Sequence, residues 1–331
     1  MAPRRGKARR PDAVFRRMTR VCITICTAGR PGMLSECLRS VVSQDAPAGC
    51  EVELVLVDNN PAPQVQEIVD GIRGDARFPV TLVHEPEPGI PHARNRGVDE
   101  ALARGADWIV CIDDDEIADP RWLASLIEAG IAYKGDVVMG KLIKIYPERL
   151  PLFVLPTNYP PRKEGEELEV AYTHNVAFAR WLVDPDKGAL RFDEKLRFAG
   201  GSDSDFFRRA RKLGARIVAT ETSVVRETQV PERLNLKWQL RREYRVGAGM
   251  ARSEKALNVP GRQRRRRLDQ LVFRILRMVV TIILSPLLLI FGFKRFESTV
   301  AVAIRKLAAS CGALSAHFGK LPDPYRKLDG Y

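Results

Sequence analysis

The chain has no C-x-x-C pair among its six cysteines (Cys22, Cys26, Cys37, Cys50, Cys111, Cys311). That argues against a zinc ribbon or a disulfide framework, and several of the six fall on apolar faces where a thiol acts as a small hydrophobe. The opening "MAPRRGKARRPDAVFRRM" has positive charge but no apolar stretch behind it, so it does not read as a secretory signal. The reducing cytosol is therefore the expected compartment. Neither G-x-x-x-x-G-K-[ST] nor a G-x-G-x-x-G following a strand is present, which removes the P-loop and dinucleotide fingerprints. There is no internal repeat, and no extended low-complexity tract beyond basic clusters.

At 331 residues and 45% hydrophobic content, the chain is long enough for one large core or two modest ones. Its net charge of +13 is uneven. Residues 1–20 carry +7 and residues 231–331 carry +14, which leaves −8 for residues 21–230. Basic ends on a mildly acidic body favour arms that touch an anionic surface over a wholly basic nucleic-acid binder.

Apolar runs at 21–26, 52–57, 80–83 and 108–112 read as strands. Each is followed by apolar residues at helical spacing, such as Leu34, Cys37, Leu38, Val41 and Val42. Pro91 suits the first turn of the third helix. Four strand–helix alternations predict a parallel sheet covered on both faces. Beyond residue 130 the rhythm loosens. "GDVVMGKLIKIY" suggests a strand or two, "YTHNVAFAR" a short strand, and "FDEKLRFAGGSDSDFFRRARKLG" a Gly-Gly break before a helix.

All four early strands end in polar residues: Thr27 and Arg30, Asp58 to Asn60, His84 with Glu85 and Glu87, and Asp113 to Glu116. Ligands of open α/β sheets bind outside the carboxyl ends of the strands. The run "IDDDE" admits three readings: a solvated turn, an acid/base site, or a seat for a hard cation. Continued strand geometry would aim Asp113 and Asp115 the same way and Asp114 the other. Arg30, Arg94 and Arg96 are candidate contacts for a base, ribose or diphosphate.

Five motifs in order, "CTAGRPGMLSECLRSVVSQ", "VELVLVDNN", "GIPHARNRGVDEA", "WIVCIDDDEIADPRWL" and "GGSDSDFFRRARKLG", resemble the family-two glycosyltransferases of the GT-A fold. The resemblance covers residues 19 to 250 and is nearest to the bacterial exopolysaccharide, succinoglycan-type branch. It implies an α/β fold with a mixed, mostly parallel sheet flanked by helices. It also implies inverting transfer of a sugar from a nucleotide donor, usually UDP-linked, to an acceptor hydroxyl. By position, Thr27, Arg30 and Asp58 would hold the base and Arg94 the ribose or diphosphate. Asp113 would contact the ribose. Asp115 would ligate Mg²⁺ or Mn²⁺, with Asp114 or Glu116 in support. Asp203 would be the general base, in a motif where relatives carry Glu-Asp and this chain has Ser202-Asp203; Asp205 is its reserve. His174 and Asn175 would line the acceptor side, and Trp238, Arg242 and Arg245 the acceptor or diphosphate side. The sheet and metal would also suit a sugar-phosphate nucleotidyltransferase, although "TAGRPG" only faintly mimics that signature.

The expected organisation is a basic tail (1–18), a catalytic domain (19–250, with nucleotide-binding half 19–116 and acceptor half 117–250) and a C-terminal arm (251–331). Within the arm, 278–293 is sixteen uncharged residues, about 24 Å as a helix and short of a ~30 Å bilayer core. Pro286 and Gly292 interrupt it, and basic residues flank it on both sides. It reads as an interfacial or re-entrant anchor on an anionic cytoplasmic leaflet, in keeping with a glycan or lipid-linked acceptor at the inner membrane and with no nucleic-acid partner.

Overall fold

A computed structural model describes residues 18–157, 159–196, 201–256 and 261–318. The basic tail up to residue 17, and Gly200 of the Gly-Gly break, lie outside the described residues.

The four expected strands form: β1 (Thr19–Thr27), β2 (Cys50–Asp58), β3 (Val80–His84) and β4 (Trp108–Ile112). They pair in parallel in the order β3-β2-β1-β4. The helices α1 (Pro31–Val42), α2 (Gln66–Ile72), α3 (Ile90–Ala103) and α4 (Trp122–Ala132) follow them. Leu34, Cys37, Leu38, Val41 and Val42 are the buried face of α1, as their spacing requires. Two apolar clusters, one on each sheet face, hold the layers together.

The second half extends the same sheet. A short β5 (Glu116–Ala118), β6 (Val137–Ile145), β7 (Asn175–Ala179) and β8 (Ile217–Thr228) complete eight strands in the order β3-β2-β1-β4-β7-β6-β8-β5. β7 runs antiparallel to β4 and β6, and β5 antiparallel to β8, while β6 and β8 are parallel. The expected half-domain boundary at residue 116 therefore falls inside a sheet strand. The twelve-residue β8 had no sequence-level expectation. Its "TETS" centre breaks the apolar run that marks a buried strand.

Helix α5 (Ser202–Lys212) follows Gly201, whose φ of 81° is a left-handed value that suits glycine at this helix entry. Helix α6 (Leu236–Ala256) runs through residue 250 without a break. Asn235 caps it, its Oδ1 accepting the Trp238 N–H at 2.8 Å. The arm consists of α7 (Gly261–Leu284), a 3₁₀ segment over Ser285–Phe291, and α8 (Phe293–His317). Pro286 and Gly292 do interrupt the helix. The apolar stretch is longer than sixteen residues, however: Asp269–Phe291 and Phe293–His317 are both long and apolar enough to cross a membrane by length and composition.

The two stretches differ in what covers them. α8 packs against α6 so closely that a Cβ on Gly247 would lie 1.9 Å from the Ala309 carbonyl oxygen. One on Gly312 would lie 1.9 Å from that of Tyr244. Only glycine permits that crossing. Arg305 of α8 adds a 2.6 Å bond to Glu243 of α6. By contrast Phe273, Ile283, Leu287, Ile290 and Phe291 all stand exposed, Ile290 by 82%.

Candidate functional site

The sheet carries its polar strand ends to one edge, and the acid run lies at the middle of it. β4 stops at Ile112 because the chain turns there: the Glu116 N–H donates to the Asp113 carbonyl at 3.2 Å, and Glu116 Oε2 accepts the Asp113 N–H at 3.0 Å. The strand ends at this turn, so strand alternation does not set the directions of these side chains, and Asp115 is the carboxylate that acts most strongly on Asp113. Asp114 and Asp115 are drawn together by one guanidinium, and Asp113 leans toward another.

Arg30 Nη1 donates to Asp114 Oδ1 at 3.2 Å and to Asp115 Oδ2 at 2.9 Å. The Thr27 hydroxyl donates to Asp114 Oδ2 at 2.7 Å. Thr27 and Arg30 thus hold the acid turn from the end of β1. Arg233, in a 3₁₀ turn after β8, donates from Nη2 to the same Asp115 Oδ2 at 2.8 Å and from Nη1 to Glu227 at 2.5 Å. Arg233 and Glu227 carried no sequence signal: an arginine in "PERL" looks like any surface charge, and only the fold brings it here.

Asp58 caps its own loop. It accepts the backbone N–H groups of Asn60 and Gln64 and the Asn60 amide, at 2.7–3.0 Å. Next to it, Asn59 ties down the segment leading into α3 by bonding the carbonyls of Glu85 and Glu87 and the Gly89 N–H. Arg94, one turn into α3, spans the cleft: its Nη1 donates to Ser202 Oγ at 3.2 Å while Nη2 sits 3.7 Å from Asp113 Oδ1. Desolvation opposes its charge, but Asp113 and Asp203 outweigh that together and hold it above the usual arginine range. Asp203, next to Ser202, thus acts on the same guanidinium as Asp113 through its charge. Asp203 Oδ1 accepts the Ser204 N–H at 2.7 Å, whereas Asp205 turns away to Arg209 at 2.8 Å.

Burial pushes Asp113 up to about 7 despite Arg94, with Asp115 and Asp114 adding repulsion. It pushes Asp114 up to about 6 against the pull of Arg30. Glu116 is likewise held well above the usual carboxylate range, chiefly through burial. The crowded carboxylates thus remain partly uncompensated by the arginines around them. The Asp113 side chain is nevertheless 44% exposed to the cleft, and Asp115 Oδ2 carries both arginine bonds, leaving its other oxygen over. No cluster of three metal-ligating side chains exists among the described residues. One or two carboxylates completed by ligand phosphates is the usual seat of Mg²⁺, so these residues fit such an ion.

Asn175 is not where an acceptor contact would be. It is wholly buried, with its amide donating to the Lys141 and Ser223 carbonyls and its Oδ1 accepting the Trp122 indole N–H at 2.9 Å. Its polar group was visible in the sequence, but its role is to satisfy buried polar atoms between strands and α4. His174, the next residue back, points the other way, between Tyr159 and Tyr172. Trp238 lies 5.9 Å under the Arg233 guanidinium. Arg242 stands near Tyr159 and Lys144, and Arg245 is half-buried on the same helix.

Residues 22–181 match the model of Glycosyl transferase family 2. The chain carries a domain of that family. Among curated proteins it is 29% identical over 243 residues to the succinoglycan biosynthesis protein ExoM of Rhizobium meliloti, covering 71% of this chain and 75% of the relative. Among solved structures it resembles S. aureus TarS 1-349 in complex with UDP-GlcNAc, with TM-score 0.50 and 14% identity over 91% of this chain and 93% of the other. It spans 55% of a longer TarS chain. It also resembles the mannosyltransferase PcManGT of Pyrobaculum calidifontis in complex with GDP-Man and Mn²⁺, with TM-score 0.50 and 18% identity, covering 93% and 77%. At those identities the structures speak for the fold, which is GT-A.

Proposed function

We propose that the protein is an inverting glycosyltransferase that moves a sugar from a nucleotide diphosphate donor, UDP-linked, to a hydroxyl of a membrane-borne glycan acceptor. The observation that carries this reading is Arg94 standing between Asp113 and the Ser202-Asp203 turn. One guanidinium there reaches the donor-side carboxylate and the serine that precedes the candidate base.

In this reading the base and ribose of the donor lie along Thr27, Asp58 and Asp113. A divalent cation held by Asp115, with Asp113 or Asp114 in support, would neutralise charge on the departing diphosphate. Asp203 accepts the proton of the acceptor hydroxyl as its oxygen bonds to the anomeric carbon. The bond from that carbon to the diphosphate oxygen breaks, and its electron pair leaves with the nucleotide. Arg30 and Arg233 keep the acid turn rigid, so that the donor meets a pre-arranged site. The exposed apolar side chains of α7 and the following 3₁₀ segment seat the enzyme on the cytoplasmic leaflet.

A thermal-shift screen of nucleotide sugars with and without Mn²⁺ tests the proposal. UDP-sugars should raise the melting temperature only when the cation is present. No response to any nucleotide sugar would refute it.

A further inference from the structure

The C-terminal arm leaves the sheet domain and comes back to it. α7 starts at Gly261, shortly after α6 ends at Ala256. At its other end the arm is fastened again from the first turn of α8. Glu297 accepts the Phe153 N–H at 2.8 Å, and the Phe296 ring meets that of Phe153 edge-on at 6.4 Å. Further along, Arg305 bonds Glu243 of α6. An α8 that crossed a bilayer would carry this ion pair and the attached loop into hydrocarbon, which is costly. α8 therefore lies along the protein, and the apolar stretch before it enters and leaves a leaflet on one side.

A loop of the sheet domain meets the arm where it returns. Residues 147–156 follow β6, and their neck is closed by the Thr157 N–H donating to the Tyr146 hydroxyl at 2.9 Å. Their tip is a turn in which the Val154 N–H donates to the Pro151 carbonyl at 3.1 Å. Phe153 has a φ of 62° there, a left-handed value at the turn position where glycine is usual. A bulky residue so placed is strained and persists only where its surroundings hold it, here through its ring and its N–H on α8. The loop is thus braced at neck and tip. The side chain it holds out is Leu152, 62% exposed.

The surroundings of Leu152 say what would cover it. Phe293, 6.0 Å from Phe296, and Phe291 are exposed where the arm rejoins this loop. Arg149 of the loop and Lys294 and Arg295 of α8 are exposed as well, with Glu148 as the loop's own acid. The Arg295 guanidinium lies 5.4 Å from the centre of the Phe291 ring. Apolar side chains rimmed by cations suit a leaflet with anionic headgroups. A second copy of the chain would bring the same cations to the rim and be repelled.

We infer that the Pro151–Val154 turn is a second membrane contact, which inserts Leu152 beside Phe291 and Phe293 and rests the sheet domain itself on an anionic leaflet. This builds on the membrane seat proposed above and adds which part of the sheet domain meets the lipid. The chain leaving the loop at Thr157 continues to Tyr159, stacked on His174, so the loop leads from the leaflet toward the candidate acceptor side.

The test uses the full-length protein and phosphatidylcholine vesicles with and without phosphatidylglycerol. Leu152→Ser should weaken co-sedimentation with the anionic vesicles about fivefold or more, because a leucine side chain is lost from the interface. Leu213→Ser, at an exposed leucine after α5, should stay within about twofold of wild type. In Leu152→Trp, lipids brominated in their acyl chains should quench the tryptophan emission more than in the wild type. Wild-type co-sedimentation by Leu152→Ser, or no added quenching in Leu152→Trp, overturns the inference while the membrane seat stands. Failure of the wild type to sediment with the anionic vesicles refutes the seat itself. A concentration-dependent dimer in light scattering that Leu152→Ser abolishes would assign the turn to a second copy and overturn the inference as well.

Discussion

Arg233 donates to Asp115 across 118 positions of sequence, at 2.8 Å, with both side chains no more than 11% exposed. The bond joins the acid turn after β4 to the entry of α6, and Arg233 uses its second nitrogen to hold Glu227 on β8. Truncating one partner of such a buried pair leaves the other charge uncompensated. Arg233→Ala should therefore destabilise the fold by about 3 kcal/mol in urea denaturation. Arg233→Lys should recover less than half of that, because an ammonium cannot serve Asp115 and Glu227 in the same forked geometry.

The first half of this fold was legible because its strands are uninterrupted apolar runs and its helices repeat at 3.6 residues. The acid turn was legible as a site because four strand ends converge on it. What was not legible depends on contacts remote in sequence. Arg233 gains meaning only when β8 brings it to Asp115. β8 itself has a polar centre because that segment meets Asn175 and Glu164 rather than a plain apolar layer. Asn175 looked like a ligand contact because a polar residue in an apolar strand has two explanations, and its bonding to Trp122 decides between them. Helix α8 was hidden because it buries alanine, serine and glycine, which give little periodic signal.

Asp203→Asn separates binding from chemistry. The amide keeps the size of the side chain and the turn at Ser204 but cannot take a proton. Turnover should fall by a factor of about 10²–10⁴, the range a general base contributes, with UDP affinity within about threefold of wild type. Single-turnover kinetics and calorimetry read the two effects separately. A parallel loss of both would assign Asp203 to donor binding.

The acid turn sets a pH dependence. Asp113 is raised from 3.8 to about 7, so its contribution to stability is full below about pH 4 and is lost as pH rises through 7. Asp113→Asn removes that loss. The variant should match the wild type near pH 4 and exceed it at pH 8 by about 1 kcal/mol, a figure kept small because solvent screens the exposed part of this carboxylate. Urea denaturation at the two pH values measures the difference.

The arm's exposed apolar face predicts membrane partitioning. Each of Ile283, Ile290 and Phe291 can bury an apolar side chain in the interface, worth about 1.5–3 kcal/mol when fully buried. Changing all three to Ser should reduce co-sedimentation with phosphatidylglycerol vesicles by more than about tenfold. UDP affinity should be unaltered.

The most direct test of the central claim is release of UDP from a responding UDP-sugar, followed with Mn²⁺ and after its removal by EDTA. Release by the wild type should need the cation and fall at least about a hundredfold in both Asp115→Ala and Asp203→Asn. Undiminished turnover in either variant would contradict the site assigned here.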